Sequence, residues 1–387
     1  MTIAEFAAFD RAQVRLDDLR ALVEQPTAPV EYAADVVEGV PVFDVADLRA
    51  EIERSGSDRA VRAVLADVLH DGPGIYVFAG SFEPEIIDRA SAAFDSMIAQ
   101  QHAEGRAVGD HYAKPGANDR VWNAIEKLAL ADPEVFVDYY ANDMIALGSA
   151  AWLGPGYQIS SQVNVVNPGG EAQQPHRDYH IGFMTDDEAE EFPPHAHLLS
   201  PMLTLQGAVA HCDMPIESGP TMYLPHSQKY RLGYLAWRNP EVVEYFAAHR
   251  TQLPLSKGDV VFFNPALFHA AGSNVTTDVK RMANLLQVSS AMGRAMETMD
   301  RIAMSKAVYG AVATRRAGGW SDPVIDRVVT AAADGYAFPT NLDKDPPLGG
   351  LTPPSHAAIM WEALRDGADP DEFAASVDAL VERRRSR

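Results

Sequence analysis

Apolar residues recur at helical spacing from Asp58 to Leu69, with Val61, Val64, Leu65, Val68 and Leu69 on one face, as an amphipathic helix requires. Asp71-Gly72-Pro73-Gly74 stops that helix, and Ile75-Tyr76-Val77-Phe78 follows as a short buried strand. From Glu83 to Gln101, Ile86, Ile87, Ala90, Phe94 and Met97 trace a second amphipathic helix, and residues 132–150 suggest a third. At Gln158 the period changes to two: Ser160, Gln162 and Asn164 alternate with Ile159, Ser161, Val163 and Val165. Residues 202–211 are again strand-like, with Thr204 and Gln206 on one face; after a helical excursion at 230–249, a Gly-Asp turn opens the apolar run VVFFNPALF. Residues 158–290 hold about seven or eight strands separated by Gly, Pro and Asn turns, which suits two antiparallel sheets closed into a jelly roll. The expected fold is mainly β with helical flanks, a double-stranded β-helix of jelly-roll, cupin-like form. Residues 1–57 are expected to form an N-terminal arm, 58–290 the jelly-roll domain with helical insertions, and 291–387 a C-terminal helical extension packed on the core. Its last helix should start at Asp369 as cap, with Pro370 in the first turn.

Chemistry enters at Gln173–Phe183, reading QQPHRDYHIGF. On a strand, His176 and Asp178 would project from one face. An imidazole and a carboxylate suit a borderline or hard divalent cation, and a third ligand would leave coordination positions open. His269, at the end of the apolar run, is the choice for that ligand. The spacing recurs at His211-Cys212-Asp213 and, with glutamate, at His102-Ala103-Glu104. On a helix, residues two apart lie roughly 200° apart, so His102 and Glu104 cannot converge. Taking His211 leaves too few strands before His269 to close a barrel. His195 and His197 lie in an acidic insertion with no third ligand nearby and are taken as loop residues. Arg281 follows His269 by twelve residues. If 271–279 form a hairpin loop, a symmetric register sets Arg281 opposite His269 on a shared face. A buried guanidinium there needs an anion. A dicarboxylate fits, one end chelating the metal and the other taking a two-pronged salt bridge. Pairing of Arg281 with Asp278 or Asp259 on the surface is the plainer alternative.

His176-x-Asp178, His269 and Arg281, in that order, together with GDVVFFNPALFHAAGSN and ESGPTMYLPHSQK, resemble the phytanoyl-CoA dioxygenase family of iron(II)- and 2-oxoglutarate-dependent oxygenases. The resemblance covers roughly residues 71–290. It implies Fe(II) held by His176, Asp178 and His269, 2-oxoglutarate anchored by Arg281, and dioxygen as oxidant. The implied reaction is oxidation of a C–H bond, by default hydroxylation, with release of succinate and CO2. Gln162, Asn164 and Gln206 are assigned to cosubstrate binding. Two positions depart from the family pattern: Gln206 stands where many members carry tryptophan, and Ala271 where some carry serine. Asp178 also fills the coordination position a halide would need, which disfavours halogenation. His111 and Tyr112, on a Pro-Gly loop rich in polar and aromatic groups, and His180, at an even offset from Asp178, are the substrate candidates. His180 would stay inward only on a regular strand.

Composition narrows the setting. The chain has 387 residues, 47% of them hydrophobic, enough for one large domain or two modest ones. No run approaches the ~18 to 20 apolar residues of a membrane span, and the N-terminus lacks a basic start with an apolar core, so a cytoplasmic location is expected. One cysteine, Cys212, leaves no internal disulfide or thiolate metal cluster. A formal net charge of −22 argues against nucleic acid or anionic membranes as partners and weighs against a coenzyme A ester. A small-molecule substrate is the expected partner. The proline-rich segment 338–354 would cover the barrel mouth or meet a second subunit, which leaves a homo-oligomer open. Two rival readings use the same barrel: a cupin-like metal-dependent isomerase or lyase without 2-oxoglutarate, and a non-catalytic small-molecule binding module. An inward Arg281 argues against both.

Overall fold

A computed structural model describes residues 9–105 and 116–386. Among the described residues, eleven strands form two sheets. In chain order these are β1 (Asp35–Val37), β2 (Val40–Asp44), β3 (Ile75–Ala79), β4 (Asn118–Val121), β5 (Gln158–Val166), β6 (Thr204–Ala210), β7 (Met222–Tyr223), β8 (Thr251–Gln252), β9 (Val260–Phe263), β10 (His269–Ala270) and β11 (Arg281–Ser289). The large sheet has the order β1-β2-β3-β9-β6-β11-β5-β4, and the small one β10-β7-β8. Within the large sheet only β2 and β3 run parallel. Seven strands fall between 158 and 290.

The two-residue period decides what each face of the large sheet does. Ile159, Val163 and Val165 of β5, Leu205 and Val209 of β6, and Met282, Leu286 and Val288 of β11 join one apolar core with the helices packed outside. The alternate residues, Gln162, Asn164, Gln206, Ala208, Ala283, Leu285 and Gln287, line a cavity between the sheets. At one end that space is closed by Ile75 and Val77 of β3, Val261 and Phe263 of β9, and Tyr223, Leu253 and Leu267 from the opposite side. Full burial of each such side chain is worth about 1.5–3 kcal/mol of transfer free energy.

Helix occupies 47% of the chain and strand 15%, which corrects the expectation of a mainly β protein. The cause is the outer face of the large sheet, which is apolar along its length and must be covered. Helices Arg59–His70, Pro84–Ala103, Arg301–Ala317, Asp322–Ala332, His356–Asp366 and Pro370–Arg384 all contribute to that single core. The helical stretch expected at 132–150 is two helices, Pro133–Tyr140 and Asp143–Leu153. Asn142 interrupts it, its side chain accepting from the amides of Met144 and Ile145 as an N-cap does. Asp369 caps the last helix by accepting from Asp371 and Glu372. β1 and β2 lie in the stretch expected to be an arm and extend the large sheet at one edge.

Candidate metal and cosubstrate site

The stretch holding His176 and Asp178 lies antiparallel to 265–271. The amide of His176 donates to the carbonyl of His269 at 2.9 Å, that of His269 to the carbonyl of His176 at 3.2 Å, and that of Asp178 to the carbonyl of Pro265 at 3.2 Å. Extended backbone therefore turns His176 and Asp178 to one side and delivers His269 beside them. Each histidine is oriented by the same local device. Nδ1–H of His176 donates to the carbonyl of Gln174, and Nδ1–H of His269 to that of Leu267, both at 2.9 Å. A carbonyl can only accept, so Nδ1 is the donor there and each ring turns its Nε2 toward the space in front. Those atoms stand 3.7 Å from Oδ1 and 3.4 Å from Oδ2 of Asp178, respectively. The three ligand atoms lie within 4.8 Å of one another.

Electrostatics favours a charged carboxylate here. Burial pushes the Asp178 carboxyl up, but the imidazoles of His176 and His269 and the amide of Gln206 outweigh it and hold the group below the usual carboxylate range. Gln206 donates through Nε2 to Asp178 Oδ2 at 2.5 Å. Its own Oε1 is buried without a partner among the described residues, as are Asn164 Oδ1 and Gln287 Oε1. Gln162 accepts from Arg120 at 2.8 Å. The cavity has a volume of about 800 Å³ and holds the three ligands together with Gln162, Asn164, Gln206 and Arg281.

Arg281 reaches the cavity by a route other than the expected one. β10 belongs to the small sheet and pairs with β7, whereas Arg281 opens β11 in the large sheet, opposite Val166. No hairpin joins His269 to Arg281; the two reach the cavity from opposite sheets. The crossing is set by Asn274, which is buried and donates through Nδ2 to the carbonyls of Val166 and Val279. Arg281 is only 5% exposed. Its Nη1 has no hydrogen-bond partner, and it forms no ion pair among the described residues. Asp259, one alternative partner, instead accepts from the amides of Gly80 and Ser256. Burial lowers the Arg281 pKa to about 10, against the raising influence of Cys212 and Tyr223.

Other candidates lie elsewhere. At Tyr179 the backbone turns to φ 44° and enters the short 3-10 turn His180–Phe183, so the strand is not regular. His180 is outside the cavity lining, with its amide on Ser200 Oγ at 3.1 Å. His111 and Tyr112 lie outside the described residues. His211 sits on the helix side between Ser91 and Tyr139, and His197 contacts the carbonyl of Ala189 through Nε2. Arg120 and Trp122, from the polar and aromatic loop expected to bind substrate, are in the lining, which also contains Phe183, Trp237, Met296 and Gln287, not expected there. Of these four only Gln287 carried a signal, as it lies at an even offset from Arg281 on one strand.

Two imidazoles and a carboxylate thus stand together on one side of the cavity, a set able to hold a metal ion, and the family match makes the chain an oxygenase-type enzyme. The chain belongs to the phytanoyl-CoA dioxygenase (PhyH) family, whose model matches residues 44–283. No curated protein sequence matches it significantly. Solved structures are similar at low identity. The non-heme alpha ketoglutarate dependent epimerase SnoN from nogalamycin biosynthesis is 19% identical, with a TM-score of 0.43 over 60% of this chain and 82% of that one. AviO1 from Streptomyces viridochromogenes Tue57 is 20% identical, with a TM-score of 0.45 over 60% and 97%. The carbocyclase SnoK, from the same pathway as SnoN, is 18% identical, with a TM-score of 0.43 over 58% and 83%.

Fe(II) and 2-oxoglutarate are the cofactors. The residues present fit both. Two imidazole Nε2 atoms and a carboxylate converge in an arrangement that suits a divalent ion, and a buried guanidinium with an unpartnered Nη1 suits a carboxylate. No helix among the described residues is long and apolar enough to cross a membrane.

Proposed function

We propose that the protein hydroxylates a C–H bond of a small organic molecule, converting 2-oxoglutarate and O2 to succinate and CO2 as the substrate gains one oxygen atom. The observation that carries this reading is the buried guanidinium of Arg281, without an acid partner among the described residues, on the cavity that also holds the His176, Asp178 and His269 ligand atoms. In this reading those three residues hold Fe(II), which supplies the site for dioxygen activation beside the chelated keto acid. Arg281 takes the far carboxylate through two parallel N–H donors, which fixes the cosubstrate's direction. Gln206 keeps the Asp178 carboxylate turned toward the imidazoles. Gln162 and Asn164 offer hydrogen bonds along the wall beside the cosubstrate. Trp122, Phe183, Trp237 and Met296 give the remaining space an apolar character, and Phe183 is 57% exposed. A substrate with an apolar body, placed so that one C–H bond faces the metal, suits that lining.

The test begins without oxygen. Fe(II) with 2-oxoglutarate should produce the weak visible charge-transfer band of a chelated keto acid, absent in His176→Ala and needing far more cosubstrate in Arg281→Ala. Oxygen-dependent succinate formation with a substrate panel, followed by mass spectrometry, then reads the reaction type. One added oxygen in the product supports hydroxylation, while an unchanged mass or the loss of two hydrogens replaces it with epimerisation or desaturation. Bound iron that gives no band would move the assignment to a cupin-like isomerase or a binding barrel.

A further inference from the structure

Arg177 stands between His176 and Asp178, and its side chain leaves the strand toward segment 227–234. It is 2% exposed and forms no ion pair among the described residues. Nη2 instead donates to two backbone carbonyls, Ser227 at 2.5 Å and Tyr230 at 3.1 Å. The guanidinium lies 4.7 Å from the ring centroid of Phe268 and 5.2 Å from that of Tyr234. A buried cation without an acid is costly to keep, and two aromatic faces with two carbonyls form the cradle that accommodates it.

That cradle is tied to the ligands on both sides. Phe268 immediately precedes His269, and its amide donates to Ser227 Oγ at 2.8 Å. The hydroxyl of Tyr234 donates to the backbone carbonyl of Asp178 at 3.2 Å. Gly233 makes room: a Cβ there would stand 1.8 Å from Arg177 Cζ.

We infer that Arg177 is a positioning residue for the metal site, clamping the His176–Asp178 strand to segment 227–234 and so setting its spacing to His269. This rests on the metal role proposed above for those three residues. A leucine or methionine in its place would fill the space but would remove the ties to the carbonyls of Ser227 and Tyr230, leaving the Tyr234 hydroxyl on Asp178 as the strand's remaining hydrogen bond to segment 227–234 among the described residues. The fork of Arg177 adds a transverse tie, directed away from the metal, which backbone pairing along the strand cannot supply.

The experiment uses the full chain and Co(II) as a probe, with affinity from titration, coordination from its visible spectrum, and folding from circular dichroism at the same temperature. Arg177→Met should weaken Co(II) binding on the order of tenfold, the lower end of what supporting residues of metal ligands contribute. Arg177→Lys, which retains donors for the carbonyls but not the planar fork, should recover part of that loss. Gly233→Ala, which drives a methyl into the guanidinium, should weaken binding in the same way. The double variant Gly233→Ala/Arg177→Met should bind no more weakly than Arg177→Met, because the clash needs the arginine. Arg177→Met that melts earlier yet binds Co(II) as wild type would overturn the inference, as would a full additive loss in the double variant. If Arg177→Met does not fold, the Arg177→Lys and Gly233→Ala titrations decide in the same terms. A folded wild type that does not bind Co(II) would instead refute the metal-site reading itself.

Discussion

Gln206 on the large sheet holds Oδ2 of Asp178 at 2.5 Å, the same oxygen that faces Nε2 of His269 at 3.4 Å. A carboxylate on a single χ2 bond would otherwise rotate freely, so this amide fixes which oxygen faces which imidazole. Gln206→Leu keeps the volume and removes the donor. Metal affinity should fall about tenfold or more while the melting temperature changes little, as read by Co(II) titration beside thermal denaturation. Gln206→Glu sets a second carboxylate against the first, and metal binding should then require a higher pH.

Arg281 carries the second prediction. Its guanidinium is buried with a free Nη1, so the cosubstrate-free protein bears the desolvation without a compensating acid. Arg281→Met should therefore leave the melting temperature of the cosubstrate-free protein unchanged or raise it. It should also abolish most of the stabilisation that added 2-oxoglutarate gives the wild type. Losing a hydrogen bond to a charged group costs about 1.5–3 kcal/mol, so KM for 2-oxoglutarate should rise about 10- to 100-fold. Arg281→Lys should fall between, since an ammonium cannot reproduce the fork. Melting curves with and without 2-oxoglutarate check both halves, and equal stabilisation of wild type and variant would remove Arg281 from cosubstrate binding.

The sequence made these contacts legible to different degrees. β5 and the capping of the last helix by Asp369 were open to reading because their signals are local: a two-residue alternation, and an acid followed by proline. The ligand set was legible as residue types in order. The placement of Arg281 in the cavity was also expected, but by a hairpin that does not exist. Asn274 ties the 271–280 segment to 166–170, its amide donating to the carbonyl of Gly170 at 2.9 Å, and no local pattern announces such a long-range contact. β1 and β2 were missed because they are short, Pro41 lies within β2, and β2 joins the sheet by pairing with β3 more than thirty residues on. Arg177 was invisible for a further reason. Its partners are backbone carbonyls and ring faces, which carry no complementary charge to search for.

The buried histidines outside the site set the response to acid. Burial lowers the pKa of His211 to about 3 between Ser91 and Tyr139. Burial, with Lys229 close by, lowers that of His226 to about 4, and burial, with Arg301 close by, lowers that of His356 to about 4. In the unfolded chain each would protonate near its ordinary value of about 6.5. Between these limits the unfolded state binds protons that the folded state refuses, so stability rises with pH through this window. It should be fully present above about pH 6.5 and should fall as the pH drops toward 4, with the His211 contribution still declining below that. One such proton gives a slope of up to about 1.4 kcal/mol per pH unit. His211→Gln retains hydrogen bonding toward Ser91 and Tyr139 and cannot titrate. Its midpoint in urea should therefore vary less between pH 6.5 and 4 than that of the wild type, whatever its stability at pH 7. Parallel slopes for the two proteins would mean that His211 is protonated in the folded state, against its burial.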